Sequence, residues 1–290
     1  TRVSSSAASD VYKRQPSQHD FDHVYTRQLY AGFGHKQFGE LTYGNMVTIT
    51  DEVTQSDLAN TYSLTDGLLE TSARRVAQYV YNGDYGSNKV KFGAYYGGSS
   101  KRDIKNVDLK NNRKNTWGTG LIFDHEIDSI QNVTVAAGFT REISENADKT
   151  AYYSNAYALG LAYNFVHTTY GLDFAHKDTK NKDGAGNKVK NNEVTAVIRQ
   201  GLNEDWNVYA MYSYKTEKTL PVGSAYSKST DRQFLVGTEY YVYNQGSLKV
   251  KPFIEWQATR TKYENTFDDA GKQLDRSRDF KTVIGLRAYW

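Results

Sequence analysis

Five carboxylates, Asp51, Glu52, Asp57, Asp66 and Glu70, lie in the stretch 45–71, which holds no Lys or Arg. Carboxylates gathered in one segment can move protons or set up a local negative field. Nothing around any pair of the chain's 33 acids argues for proton transfer. The six His include no HExxH, so neither a metal site nor a cofactor is indicated. GxSxG and the P-loop are also absent from the sequence. By itself the acidic stretch fits a solvated surface loop. What it does depends on the elements around it.

Those elements are strands. From Val24 onward the chain reads as thirteen of them: 24–33, 38–45, 72–81, 89–97, 116–126, 132–143, 155–165, 169–177, 192–202, 206–217, 232–243, 248–263 and 279–290. Strand side chains alternate between faces. Tyr157, Leu159, Leu161, Tyr163 and Phe165 form an apolar row opposite Ala156, Ala158, Gly160 and Asn164. Val194, Ala196 and Ile198 oppose Glu193, Thr195 and Arg199, and Trp206, Val208, Ala210, Tyr212 and Tyr214 oppose Asn207, Ser213 and Lys215. Leu248, Val250, Ile254 and Trp256 oppose Lys249, Lys251, Glu255 and Gln257. The last strand carries Phe280, Thr282, Ile284, Leu286, Ala288 and Trp290 on one side, with Lys281 and Arg287 on the other. Pro252 removes one ladder donor and marks a local irregularity.

Strands of roughly 9–11 residues, apolar outside and polar inside, are what a tilted membrane-spanning β-strand requires. Connections alternate short and long, matching the two ends of such a barrel, whereas a soluble sandwich has no reason to sort loop lengths by parity. The fold class is therefore all-β, a transmembrane antiparallel β-barrel. No run nears the roughly 18 apolar residues of a membrane helix. With no Cys there is neither a disulfide framework nor a cysteine-ligated zinc, and a net charge of +3 gives no case for nucleic acid. An odd strand count is wrong for a closed bacterial barrel, so the count implies a miscounted or truncated chain. Residues 1–20 read as a non-native or disordered segment, since the run Ser9 to Gln15 resembles translated adapter read-through.

HVYTRQLYAGFGHKQFGELTYGN, the stretch Val236 to Arg260, and the ending KTVIGLRAYW together resemble the trimeric general diffusion porins of Gram-negative outer membranes, most closely the Haemophilus and Pasteurella type. The resemblance implies that 21–290 is the porin barrel, strands four to sixteen of sixteen, and that 45–71 is the long third loop folded into the pore. It places Asp51, Glu52, Asp57, Asp66 and Glu70 at the constriction, opposite wall cations Arg27 and Arg74, with Arg75 the inward residue if the alignment slips. Asn45 departs from the arginine that many relatives carry there. Arg199, Lys249, Lys251 and Glu255 become lumen-facing wall, and Trp290 becomes the signal read by the outer-membrane insertion machinery. The partners implied are outer-membrane lipid and a homotrimer; the basic, Asn-rich loops 98–115 and 179–191 fit either hydrated surface or contact with the phosphates of lipopolysaccharide. The function implied is passive diffusion of small hydrophilic solutes and ions through a water-filled channel, without catalysis. An outer-membrane enzyme or an adhesin is the alternative. The enzyme would need His and acids converging at the barrel mouth, and no such arrangement stands out.

Overall fold

The computed structural model describes residues 4–13, 24–99, 111–146, 151–181, 186–221, 225–246, 248–267 and 271–289. Fifteen strands follow in chain order: β1 (Ser4–Lys13), β2 (Val24–His35), β3 (Gly39–Val47), β4 (Ser72–Tyr85), β5 (Asn88–Gly97), β6 (Asn111–Asp128), β7 (Gln131–Asn146), β8 (Ala151–Phe165), β9 (Thr168–Asn181), β10 (Lys188–Gly201), β11 (Trp206–Leu220), β12 (Ser227–Tyr240), β13 (Tyr243–Gln245), β14 (Leu248–Glu264) and β15 (Arg276–Tyr289). They make one antiparallel sheet in which each strand lies beside its chain neighbours, with β13 a short piece set against β14. Among the described residues there is a single 3-10 turn, Ile49–Val53, after β3.

All thirteen strands read from the alternation are present, as β2 to β12, β14 and β15. Two further strands were not legible in the pattern. Ser4–Lys13, set outside the fold on sequence, pairs along β2 from Ser4↔Gly34 to Lys13↔Val24. That stretch has no apolar alternation, so what recruits it is the unpaired backbone edge of β2 rather than a side-chain code. β13 arises because β12 and β13 break between Tyr240 and Tyr243, opposite Lys251 and Pro252 of β14. The missing proline N–H thus falls in a gap of the partner strand, while β14 itself and its pairing with β15 run on unbroken.

Side chains are distributed inside out relative to a water-soluble protein. Phe33, Tyr157, Ile198, Trp256, Ile284 and Leu286 point outward and are exposed, while Glu193, Lys215, Glu239, Lys251 and Glu255 are buried on the inner face. Charged groups are almost never buried unless paired, and a large apolar surface marks contact with a partner or lipid. Lipid outside and a polar space inside satisfy both at once. Backbone groups that meet lipid must also be paired, which the ladders supply between neighbouring strands. The sheet also curls. One segment, 48–71, touches inward side chains from β4 and β5 through β9, β10, β11 and β14 to Arg287 on β15, so these strands wrap around it.

Candidate pore constriction

The base of the inward segment is closed by the Thr48 N–H donating to the Thr71 carbonyl at 2.8 Å. The Gln78 side chain on β4 accepts the Ile49 N–H at 2.7 Å. Ile49, Val53 and Leu69 then pack, together with Met46, against Ala73, Val76, Tyr95, Ile122, Ala136 and Ala156 of β4 to β8. Glycines make room for this contact. A Cβ at Gly93, Gly120 or Gly138 would come within 2.8–3.1 Å of Ile49, Val53 or Leu69 atoms, and one at Gly160 would stand 2.1 Å from the Val53 carbonyl oxygen. Gly93, Gly120 and Gly138 lie opposite one another on β5, β6 and β7, a smooth lane across the wall.

Past Val53 the contact becomes polar, and the wall supplies the anions. Asp173 on β9 accepts the Gln55 N–H at 2.9 Å, and both the N–H and the hydroxyl of Ser56, at 2.7 and 2.5 Å. Glu255 on β14 accepts the N–H groups of Asn60, Thr61 and Tyr62 at 2.5, 3.0 and 3.0 Å. Glu193 on β10 accepts the Asp66 N–H at 2.9 Å. An irregular segment has no ladder to satisfy its amides, and an unmade buried bond costs about 1–3 kcal/mol, so three carboxylates aimed at amides spaced along it hold it in place. The Tyr209 hydroxyl donates to Glu255 at 2.7 Å, and the Asn60 side chain donates to Tyr209 and Glu239 at 2.9 and 2.8 Å. Glu239 is ion-paired to Arg199 and to Lys251, the latter at 2.5 Å, and Arg287 donates to the Asn60 carbonyl.

Comparison with known proteins supplies the family. A profile of Gram-negative porins matches residues 7–250. The chain belongs to that family. Its relatives include the major outer membrane protein of Pasteurella multocida, 24% identical over 272 residues, covering 92% of this chain and 68% of the relative. The same protein from strain Pm70 is 22% identical, covering 93% and 72%. Among solved structures, the anion-selective porin from Comamonas acidovorans superposes with a TM-score of 0.64 at 14% identity, covering 92% of this chain and 79% of that one. The trimer form of OmpT, an outer membrane protein of Vibrio cholerae, superposes at 0.61 and 16%, covering 99% and 91%. At these identities the structural likeness speaks for the fold alone. The porin is a channel protein of the bacterial outer membrane, and its polar interior and apolar exterior are what that role demands.

The porin's acids are distributed differently from the arrangement implied on sequence. Glu52 pairs with Lys91 on β5, and Asp66 pairs with Lys215 on β11. Neither lysine was singled out. Asp51 and Asp57 are exposed on the same segment. Although its tip reaches solvent, partial desolvation by the surrounding protein raises the Asp57 carboxyl above its usual range, with the Ser63 hydroxyl and Arg287 acting the other way. Glu70 serves through its backbone: its N–H donates to Thr140 and its carbonyl accepts from Thr50 and Tyr95, at 3.3, 2.6 and 3.0 Å.

Arg74 is exposed at a bulge next to Arg75, whose φ is +54°, and its carbonyl accepts a bond from Arg113 at 3.1 Å. The described contacts bring neither arginine to the loop acids; the inward positions there are Ala73 and Val76, because the bulge between Gly44 and Met46 adds a residue to the alternation. Arg27 is the residue left unpaired by a bulge in the β1–β2 ladder, and its side chain lies outside those described. The inward neighbour is Gln28, which accepts the Val47 N–H at 3.5 Å. Lys249 shares the inward parity of Lys251 but is exposed at the strand end. Trp290 falls outside the described residues.

The residues missed on sequence are Asp173, Tyr209 and Glu239 as clamps, with Asn60 as their shared partner. Glu193 and Lys215 were on the inward row but carried no role. The available signal was a carboxylate at an inward position on consecutive strands.

Proposed function

We propose that segment 48–71 is the waist of the channel and that its charged pairs set which ions pass. The observation that carries this reading is the run of wall carboxylates on β9, β10 and β14, which hold the segment inside the curl of the sheet. Next to its start a cavity of about 260 Å³ lies against Tyr30, Glu40, Thr42, Gln78, Glu52 and Lys91. Small hydrophilic solutes and ions diffuse past, sensing the exposed Asp51, Glu52, Asp57 and Asp66 against Lys91, Lys215 and Arg287. Passive conduction is favoured over an outer-membrane enzyme because the wall carboxylates Asp173, Glu193 and Glu255 spend their oxygens on loop amides. Assembly as a homotrimer and reading of Trp290 by the insertion machinery belong to the same proposal. The first is supported by a relative solved as a trimer.

Reversal potential in a KCl gradient across planar bilayers tests the waist. Neutralising Asp51, Glu52 and Asp57 together shifts it towards anion preference at 0.1 M salt. The shift shrinks at 1 M, where the Debye length falls from about 10 Å to about 3 Å. Unchanged selectivity at low salt means that these acids do not face the permeating ion.

A further inference from the structure

The cavity of about 260 Å³ beside the start of the waist has a buried floor, an apolar side and a solvated mouth. Thr42, Met46, Ile49 and Gln78 make the floor, and all four are buried. Tyr30 and Val80, partly buried against the neighbouring apolar cluster, make the side. Glu52 and Lys91, ion-paired to each other, stand at the mouth with Asn82, which is exposed and lies directly opposite Lys91 on the next strand.

The floor carries a donor that the protein serves poorly. The Gln78 side-chain oxygen accepts the Ile49 N–H at 2.7 Å, which fixes the orientation of the amide. Among the described residues, the one acceptor for its NH2 group is the Met46 sulfur, at 3.7 Å. The Thr42 hydroxyl meets the same sulfur at 3.4 Å and the Gln78 carbonyl at 3.3 Å. A thioether is a weak acceptor. Gln78 is only 9% exposed, and buried polar groups are as a rule fully hydrogen-bonded, so this NH2 suits an incoming oxygen. At the mouth the Asn82 carboxamide pairs with none of the described residues. The charges there are already matched: Glu52 holds Lys91, and Glu40 is engaged as well. A charged solute would have to break such a pair to be held, whereas a neutral hydroxyl-bearing one would not.

We propose that this cavity is a dwell site for a neutral monosaccharide on its way through the channel. One ring hydroxyl accepts from the Gln78 NH2 at the floor. Others exchange hydrogen bonds with Asn82, Lys91 and Glu52 at the mouth, and the C–H face of the ring lies against Tyr30 and Val80. An apolar side with a few placed polar groups is the usual make-up of a small-molecule site. The volume falls below the roughly 300–1,000 Å³ of sites for drug-sized ligands, so a single ring fits and a chain of them does not. Binding is weak, because a channel must release what it holds. The inference rests on the reading of 48–71 as the waist and names a solute class for it. Its test reads binding rather than conduction, so either reading can fail alone.

The 290-residue chain is folded in detergent, its heat-modifiable band is confirmed, and it is titrated with d-glucose by saturation-transfer-difference NMR. Wild type gives saturable transfer to the ring protons, with a Kd on the order of millimolar. Glucosamine and glucuronate bind more weakly, and glycerol does not compete. Asn82→Leu and Tyr30→Leu each weaken glucose by about tenfold. Val80→Phe fills the cavity without removing a hydrogen bond and abolishes transfer. Ser129→Ala, in the turn between β6 and β7, binds as wild type does. Absence of saturable transfer to folded wild type overturns the proposal, and so does full transfer to folded Val80→Phe. Equal competition by glycerol overturns it by showing no ring-shaped site, and tighter glucosamine or glucuronate overturns the neutral class. If Val80→Phe gives no heat-modifiable band, Asn82→Leu, at an exposed position, carries the same comparison. A reversal potential that responds to the acid triple beside absent glucose binding strikes this site and leaves the waist standing. Glucose binding beside an unresponsive reversal potential does the reverse.

Discussion

The two ends of the waist segment are held by different physics. Its first part, Ile49 to Val53, with Leu69 returning beside it, presses apolar side chains onto the glycine and alanine lane of β5 to β8. Its second part, Gln55 to Asp66, is bound through backbone amides to Asp173, Glu193 and Glu255. Apolar packing is non-directional, so the first contact fixes how close the segment approaches the wall. Carboxylate–amide bonds are directional and fix which residue stands where. A pore that must keep a constant bore while lined with water uses both. Water cannot replace a missing methyl contact, but it can partly replace a missing carboxylate.

The largest effect should come from breaking the apolar seat. In Gly160→Val the new Cβ meets the Val53 carbonyl oxygen, which lies 2.1 Å away and cannot swing aside. Overpacking of this kind costs about 3 kcal/mol. The segment should leave the wall, raising single-channel conductance and exposing Leu64, Leu68 and Leu69 to thermolysin. An unchanged cleavage rate would mean the lane is incidental.

Removing one polar clamp should do less. Glu255→Gln keeps the shape, trades charge-assisted acceptance for a single amide carbonyl, and weakens the hold on Asn60, Thr61 and Tyr62 by about 1–3 kcal/mol. Expected outcomes are noisier open-channel current and modest thermolysin cutting, with the heat-modifiable band retained. If Glu255→Gln matches Gly160→Val in severity, the distinction between seat and clamp fails.

Smaller still is the effect of Glu52→Gln. Its pair with Lys91 joins an exposed carboxylate to a half-buried lysine at the water-filled surface, and such solvated pairs contribute about 0–1 kcal/mol. Stability should be unchanged while reversal potential moves towards anions. The smallest effect belongs to Asp57. Its carboxyl titrates above the ordinary range because partial desolvation by the surrounding protein disfavours the charged form. As pH falls, its negative charge is therefore lost before that of ordinary carboxylates, and cation preference declines early. In Asp57→Asn that early component should be missing from a reversal-potential titration.

Alternation determined most of the fold. Tyr157 to Phe165 against Ala156 to Asn164, and Val194 to Ile198 against Glu193 to Arg199, stand on the faces their periodicity assigns. A period of two is a local property, written in consecutive residues and independent of what the strand pairs with. The same local code put Arg199, Lys251, Glu255 and Arg287 inside, where each now bonds. It went astray where alternation is interrupted: at Arg74, a bulge changes the count, and a one-residue change exchanges the faces. β1 was invisible because it is recruited by an edge, not by a pattern.

The waist is the part that only tertiary structure decided. Its acids could be read at once from residues 45–71. Their partners could not, because Glu52 with Lys91, Asp66 with Lys215 and Asn60 with Glu255 are separated by 39, 149 and 195 positions along the chain. Which inward residues face one another across a curled sheet depends on its curvature and stagger, and these emerge only when all the strands are in register.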